Sequence, residues 1–186
     1  MNTMRLRLIA VTLASIAASC CTPAPPEFAE DTSASVSMPE IDINALGVPY
    51  ASVPDAGLLC AGQISPEQMD ALHAAGFKTF ISLRVAAENG AGWEEAHAAT
   101  AGVSFQRLPI AGAAGVTSES ARELRGILED AEGPTVLYCG SSNRVGALLG
   151  IAAHEIDGKS VDEALAYARS AGLTGLEPAF NEVVGR

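Results

Sequence analysis

A short apolar run that ends in a stretch of small residues is the feature that most constrains this fold. Residues 135–138 are β-branched, apolar and aromatic, as is typical of a strand. Residues 139–144 read Cys-Gly-Ser-Ser-Asn-Arg. One apolar helical face follows: Val145, Leu148, Leu149, Ala152 and Ile156. The pattern predicts a strand, a tight loop and a helix, with Cys139 at the carboxyl end of the strand.

Strand and helix patterns alternate along the rest of residues 41–186. Three more strands are predicted at residues 57–61, 77–83 and 103–110. Four further helices are predicted to begin at or just after Ser65, Trp93, Thr117 and Ser160. This order predicts an α/β fold, with a mainly parallel sheet of four to five strands flanked by helices. Ligands of such sheets bind at the carboxyl ends of the strands, where Cys139 stands.

The first 19 residues are expected to be an export signal. Arg5 and Arg7 precede an apolar run, residues 8–18, that is shorter than the roughly 20 residues of a membrane-spanning helix. The tetrapeptide Ala-Ala-Ser-Cys that ends at Cys20 resembles a bacterial lipobox, whose Cys is lipidated; the alternative is an ordinary secretory signal. Both interpretations predict an exported protein, either periplasmic or anchored in the bacterial cell envelope as a lipoprotein.

The segment after the export signal predicts a tether. Residues 20–40 are rich in Pro, Ala, Ser and acidic residues, without hydrophobic periodicity, and are expected to be disordered. The chain carries 22 acidic against 11 basic side chains, a net charge of -11, which argues against a nucleic-acid partner. A membrane contact is expected only through an N-terminal lipid.

The four cysteines lie in two different parts of the sequence. Cys20 and Cys21 fall at the end of the leader, which leaves Cys60 and Cys139 in the domain. In an oxidising compartment these two could form a disulfide, and that bond would abolish any nucleophilic role of Cys139. The sequence leaves the free and the bonded states open.

The loop between Cys139 and Arg144 has the composition of an anion cradle. Small residues allow Gly140, Ser141, Ser142 and Asn143 to aim backbone N–H groups, and the positive end of the following helix, at one oxyanion. The same field favours the thiolate of Cys139. The Arg144 guanidinium can hold two phosphate oxygens. The alternative is that Cys139 is only a buried cysteine at a strand end.

Two other motifs accompany this loop. Residues 60–67 read Cys-Ala-Gly-Gln-Ile-Ser-Pro-Glu, and residues 75–84 read Ala-Gly-Phe-Lys-Thr-Phe-Ile-Ser-Leu-Arg, with Glu88 shortly after. Over residues 41–185 the chain resembles the bacterial dual-specificity-phosphatase-like family, which includes the phosphatase-like domain of beta-lactamase hydrolase-like proteins. The four residues between Cys139 and Arg144 match the spacing of that family, whereas ordinary tyrosine phosphatases have five.

This resemblance implies a cysteine-phosphatase-like fold and an enzyme that hydrolyses phosphomonoesters, on phosphoproteins or small molecules, through a phosphocysteine. Cys139 would be the nucleophile and Arg144 the phosphate binder, with the amides of residues 140–143 as oxyanion donors. The expected partner is a phosphorylated substrate or another oxyanion, and no metal or organic cofactor is implied.

Three departures from the family pattern bear on catalysis. Ser142 stands where a glycine is usual, and Val145 where a Ser or Thr commonly follows the arginine. Residues 109–115 contain no Asp in the place of the usual general acid, a loss that typically costs about 10² to 10⁴ in rate. Glu88 is a candidate acid, and with Arg84 a candidate pair near the site, although an exposed ion pair is the commoner outcome.

These departures keep two other functions open. One is a non-catalytic pseudophosphatase that binds phosphate or another oxyanion in the cell envelope. The other, weaker, is sulfur transfer through a persulfide on Cys139, because rhodanese loops also place a Cys in an anion-cradling turn. The motifs at residues 60–67 and 75–84 favour the phosphatase lineage over sulfur transfer.

Overall fold

The computed structural model describes residues 37–186, so the predicted export signal, Cys20 and most of the predicted tether lie outside the described residues. Five strands are present: β1 (Ser52–Asp55), β2 (Leu58–Ala61), β3 (Thr79–Ser82), β4 (Ser104–Arg107) and β5 (Thr135–Tyr138). The helices are α1 (Pro66–Ala75), α2 (Glu94–Ala101), α3 (Ser118–Glu129), α4 (Asn143–Glu155), α5 (Val161–Ser170) and α6 (Glu177–Val184). A single 3₁₀ turn covers Ala113–Gly115.

The strands form one sheet in the order β1-β2-β5-β3-β4. Strands β2, β5, β3 and β4 are parallel, and β1 pairs antiparallel with β2 at the edge. The predicted α/β class and mainly parallel sheet are therefore confirmed. Because β5 is central, its carboxyl end is flanked on both sides by the ends of parallel neighbours, and Cys139 follows directly.

Alternate residues of β5 pack into two separate cores. Leu137 belongs to the core formed with α3, α4, α5 and α6, whereas Val136 and Tyr138 belong to the core formed with α1 and α2. Helix α4 lies very close to α5, because a side chain at Gly146 would stand 2.5 Å from the carbonyl oxygen of Ala168. This packing fixes the position of α4, whose first residue, Asn143, belongs to the loop between Cys139 and Arg144.

The predicted helix starts are confirmed at the two capping boxes, Ser65 with Gln68 and Ser160 with Glu163. Thr117 caps α3 as expected. Strand β4 is shorter than the strand predicted at residues 103–110, and the sequence pattern does not predict β1. Strand β1 is half exposed and contains Pro54, a residue that breaks the strand pattern but is tolerated on a sheet edge.

None of the helices within residues 37–186 has the length and apolar character that crossing a membrane requires.

Candidate active site

Cys139 lies at the floor of a cleft at the carboxyl edge of the sheet. Its N–H donates to the Ala61 carbonyl of β2 at 3.2 Å, and only 1% of the residue is exposed. The cleft has a volume of about 500 Å³. One wall is the loop that carries Gly140, Ser141, Asn143 and Arg144; the facing wall contains Val85, Glu88, Ala111, Gly112 and Leu176. The structure thus brings the predicted nucleophile, loop and arginine together.

The backbone of the loop presents a row of unpaired donors. Within the described part of the chain, no protein group accepts a hydrogen bond from the backbone N–H groups of Gly140, Asn143 and Arg144, whereas an isolated antiparallel bridge joins Gly62 and Ser141. The first N–H groups of a helix lack intrahelical partners, and here α4 begins at Asn143. These donors and the positive end of α4 surround the cleft beside Cys139, which is the arrangement that binds a tetrahedral anion.

Ser142 turns the chain into α4 with a left-handed backbone, φ 58° and ψ 0°. Glycine is the residue that adopts this conformation without strain, which explains why a glycine is usual at this position. The Ser142 side chain is buried and its hydroxyl donates to the Ala171 carbonyl at 2.8 Å. This hydrogen bond holds the turn, so the contribution of Ser142 to an anion site is through its backbone.

Asn143 likewise points its side chain away from the anion position. Its Oδ1 accepts hydrogen bonds from the backbone N–H groups of Thr174 at 2.9 Å and Leu176 at 3.2 Å. The loop between α5 and α6 is thereby fixed against the start of α4. Leu176 reaches the cleft through this contact.

Arg144 is held in place by a carboxylate and two carbonyls. Its Nη1 lies 2.7 Å from Glu88 Oε1, 2.7 Å from the Ile110 carbonyl oxygen and 3.3 Å from the Leu83 carbonyl oxygen, and its Nη2 donates to Glu88 Oε2 at 2.8 Å. The Glu88 carboxylate raises the pKa of Arg144, so the guanidinium stays charged. None of its hydrogen bonds to described residues uses Nε, and Cys139 also contributes to the raised pKa of Arg144. Arg144 therefore keeps donor capacity for an oxyanion while its orientation is fixed.

Glu88 is the partner that links Arg144 to Arg84. Arg84 Nε donates to Glu88 Oε2 at 3.0 Å, and Arg84 is only 8% exposed, so the pair is not an open surface ion pair. Of the two residues, Glu88 lines the cleft. The hydrogen bonds from Arg144, more than any other contact, lower the pKa of Glu88 to about 2. A general acid must carry a proton, and this carboxylate is ionised at neutral pH. The arrangement suits Glu88 to positioning Arg144.

A second set of polar groups extends this network behind Arg84. Gln63 accepts a hydrogen bond from Arg84 and donates through Nε2 to Glu94 Oε1 at 2.8 Å. Glu94 is fully buried, and its Oε2 lies 2.8 Å from Arg107 Nη2. Glu94 and Arg107 lie outside the sequence motifs described above, so no sequence pattern indicates them. Gln63 lies in the motif at residues 60–67, and that motif is the sequence signal for this network.

Residues 109–115 bring no carboxylate to the facing wall of the cleft. Ala111 and Gly112 line the cleft there. Val145 is fully buried in the core of α4 and offers no hydroxyl to the thiolate. Of the three departures noted in the sequence, the missing acid lies on the cleft wall, whereas Ser142 and Val145 are buried beneath it.

Cys60 and Cys139 are both free, buried thiols, which is the first of the two states that the sequence left open. They belong to the same core on the α4 side of the sheet. Burial, followed by the charge of Asp55, raises the pKa of the Cys60 thiol far above its ordinary value. Cys60 is therefore held as the neutral thiol.

Trp93 and the three histidines do not line the cleft. Trp93 Nε1 donates to the Gly90 carbonyl at 2.9 Å and its ring packs edge-on against His97. His73 and His154 lie on α1 and α4, each beside a backbone carbonyl. Residues 37–186 contain no group of three or more side chains arranged to hold a metal ion.

Several solved structures share this fold. A predicted phosphatase from Neisseria meningitidis Z2491 is 23% identical, with a TM-score of 0.61 over 73% of this chain and 97% of that one. TpbA of P. aeruginosa, solved as a cysteine-to-serine variant with pTyr, is 17% identical, with a TM-score of 0.52 over 82% and 91%.

The catalytic core of the PP-IP phosphatase SIW14 of S. cerevisiae, with citrate, is 17% identical, with a TM-score of 0.54 over 74% and 86%. At these identities the likeness shows the fold alone. No curated protein matches the chain.

The sequence model of one family covers more than half of the chain. It describes the phosphatase-like domain of beta-lactamase hydrolase-like proteins and matches residues 51–155, from β1 to the end of α4. The matched segment includes Gln63, Arg84, Glu88, Cys139 and Arg144. The chain belongs to this phosphatase-like family.

Proposed function

We propose that the protein is a cysteine-dependent phosphatase that hydrolyses phosphomonoesters, with Cys139 as nucleophile. One observation carries the proposal: the Cys139 side chain shares a cleft with the unpaired N–H groups of Gly140, Asn143 and Arg144 and with the fixed guanidinium of Arg144. These groups bind a phosphate dianion and stabilise the charge of its transition state. Arg144 acts as phosphate binder, and Glu88 and Arg84 act as its positioning residues.

The reaction has two displacement steps. The Cys139 thiolate attacks phosphorus, so the S–P bond forms while the bond from phosphorus to the ester oxygen breaks and the alcohol leaves with a proton from solvent. Water then attacks the phosphocysteine, the S–P bond breaks, and inorganic phosphate and the thiolate are released. The loop amides contact the same three phosphoryl oxygens in both steps.

The alternative is a pseudophosphatase that binds phosphate or another oxyanion without turnover. It is favoured by the absence of an acid on the wall formed by Ala111 and Gly112, and by the ionised state of Glu88. The weaker alternative, sulfur transfer, uses the same thiol but needs no proton donor for an alcohol. A phosphatase releases an alcohol and inorganic phosphate, a pseudophosphatase releases no product, and a sulfurtransferase passes a sulfur atom to an acceptor.

A chromogenic aryl phosphate assay with reduced protein separates them. We expect turnover in the wild type and its loss in Cys139→Ser and Arg144→Ala. Matched controls are Cys60→Ala, a second buried cysteine on the adjacent strand, and Arg122→Ala, whose side chain is 62% exposed on α3. Both controls should retain activity.

Each other outcome points to a different function. Binding of inorganic phosphate without turnover supports the pseudophosphatase. Transfer of sulfur from thiosulfate to cyanide, lost in Cys139→Ser, supports the sulfurtransferase. Turnover that survives in Cys139→Ser contradicts the proposed nucleophile.

We further propose that the protein works in the bacterial cell envelope, exported by residues 1–19 and lipidated at Cys20. The lipobox-like tetrapeptide supports this proposal. Labelling of expressing cells with a radioactive fatty acid should mark the wild type and Cys21→Ala but not Cys20→Ala. Equal label in the wild type and Cys20→Ala would show that Cys20 is not the lipid site.

A further inference from the structure

Glu94 is the only acidic residue within residues 37–186 that is fully buried. It stands at the start of α2 and does not line the cleft. Its Oε2 lies 2.8 Å from Arg107 Nη2 but has no well-aligned hydrogen bond. Removing a carboxylate from water is costly, and a buried ion pair is often no more stabilising than apolar residues of the same volume. Stability is therefore a weak explanation of Glu94, and the groups that it orients are a better one.

Gln63 is the first of these groups. Its Nε2 donates to Glu94 Oε1 at 2.8 Å and to the Ile64 carbonyl at 3.0 Å, and its Oε1 accepts a hydrogen bond from Arg84 Nη1. An ionised carboxylate only accepts hydrogen bonds, whereas an amide has one donating and one accepting end. Glu94 and the Ile64 carbonyl therefore fix the direction of the amide and turn its oxygen towards Arg84. A reversed amide would present its NH₂ group to a guanidinium that has no acceptor.

Arg107 is the second group that Glu94 orients. It is the last residue of β4, and its Nη1 donates to the backbone carbonyl of Arg84 at 2.8 Å. Its Nη2 also donates to the Ala91 carbonyl at 3.2 Å. Glu95, whose side chain is half exposed, pairs with Arg107 from the solvent side. The charge of Glu94 thus holds the guanidinium against the backbone of Arg84, and these buried contacts do not depend on Glu95.

Arg84 connects both groups to the cleft. With its Nη1 and its carbonyl engaged in this way, its Nε donates to Glu88 Oε2 at 3.0 Å. The same carboxylate accepts both hydrogen bonds from Arg144. A continuous series of polar contacts therefore joins Glu94 to the guanidinium at the cleft, and a shift of Arg84 would move the carboxylate that orients Arg144.

We infer that the buried pair of Glu94 and Arg107 positions the phosphate binder, Arg144. The pair acts from outside the cleft, through the hydrogen bonds of Gln63 and Arg84. This inference rests on the proposed function, because it concerns how the same cleft binds its oxyanion. Neither member of the pair lines the cleft, so its effect on a bound oxyanion is indirect.

Calorimetry with inorganic phosphate and reduced protein tests this role. Glu94→Gln keeps the size of the side chain but removes its charge, and should weaken phosphate binding about threefold to tenfold, within the range of couplings carried through packed networks. Gln63→Leu, at a half-buried position, removes the hydrogen bonds of the amide and should give a similar loss. It supplies the measurement if Glu94→Gln does not fold.

Glu155→Gln is the matched control, because it neutralises a partly buried, ion-paired carboxylate at the far end of α4. Its phosphate affinity should equal that of the wild type. Thermal unfolding of each variant shows that the affinities are measured on folded protein. Unchanged phosphate affinity in both Glu94→Gln and Gln63→Leu would overturn the inference.

A double-mutant cycle separates positioning of Arg144 from a general structural role. Glu88→Gln disrupts the contact between Arg84 and Arg144, so adding Glu94→Gln to it should weaken phosphate binding little further. The effects of the two substitutions on phosphate affinity are thus expected to be non-additive. Full additivity would show that Glu94 acts by another route and would also overturn the inference.

The inference and the proposed function can fail separately. If the phosphate affinities and the cycle behave as expected but no phosphate ester is hydrolysed, the positioning role stands and the catalytic proposal fails. If aryl phosphates are hydrolysed in a manner that depends on Cys139 but Glu94→Gln and Gln63→Leu bind phosphate as the wild type does, the catalytic proposal stands and the positioning role fails.

Discussion

Glu88 accepts two hydrogen bonds from Arg144, with Oε1 2.7 Å from Nη1 and Oε2 2.8 Å from Nη2. This bidentate pair couples the motif at residues 75–84, through Arg84, to the arginine of the loop. A planar guanidinium held on one edge in this way presents its remaining donors in a fixed direction.

Replacing Glu88 by Gln should weaken phosphate binding. The neutral amide can accept only one of the two hydrogen bonds and removes the charge that holds Arg144, so we expect the affinity for inorganic phosphate to fall by up to about 10²-fold. Calorimetry measures this change. Glu95→Gln, which removes the carboxylate that pairs with Arg107 outside the cleft, is the control and should bind normally. Unchanged affinity in Glu88→Gln would contradict the positioning role.

The same variant should change how stability depends on pH. The pKa of Glu88 is lowered from 4.5 to about 2 in the folded protein. A carboxyl group with a lowered pKa stabilises the fold fully above its ordinary pKa, and that contribution is lost as pH falls towards 2. Urea unfolding should therefore show a wild-type advantage over Glu88→Gln that is constant at neutral pH and shrinks between about pH 4.5 and 2. An advantage that grows in acid would contradict this account.

Ser142 offers a test of how the loop turn is held. Ser142→Ala removes the hydrogen bond to Ala171 but keeps the side chain at a positive φ, so the variant should lose about 1 to 2 kcal/mol of unfolding free energy. Ser142→Gly removes the same hydrogen bond but relieves the backbone, and should be about 1 kcal/mol more stable than Ser142→Ala. Denaturant unfolding compares the two. The reverse order would show that the left-handed turn carries no strain.

Ala111 marks the place where a general acid is missing. Ala111→Asp puts a carboxyl group on the wall opposite Cys139, and protonation of the leaving oxygen should raise kcat for alkyl phosphates by up to about 10²-fold. Nitrophenyl phosphate, whose leaving group needs little protonation, should gain less. Steady-state kinetics on both substrates measures the difference. An equal gain on both would indicate an effect on binding and not acid catalysis.

The elements around the site could be predicted because their signals are local. The Ser65 capping box, the small residues after Cys139 and the apolar run at residues 135–138 each lie within a few positions of the feature they specify. The network of Gln63, Glu94 and Arg107 could not be predicted in this way. Its members come from three separate segments, and only the sheet order brings them into contact.

Tyr50 shows a second reason why part of the structure escapes sequence patterns. It lies just before β1, an edge strand too short and too exposed to have a clear hydrophobic pattern. Its position depends on the space left by Gly62 and on the backbone of the loop at Gly140. A strained, exposed aromatic residue has no sequence signature, because the same residue in an extended conformation would look identical in the sequence.

The central claim is that Cys139 forms a covalent bond to phosphorus, and the most direct measurement is to trap that bond. Reduced protein mixed with an aryl phosphate and quenched in acid within milliseconds should contain a fraction of chains heavier by one phosphoryl group, and peptide mass spectrometry should place it on Cys139. Cys60→Ala should show the same adduct and Cys139→Ser none. Turnover of the aryl phosphate without any adduct on Cys139, or with the adduct on another residue, would contradict the account.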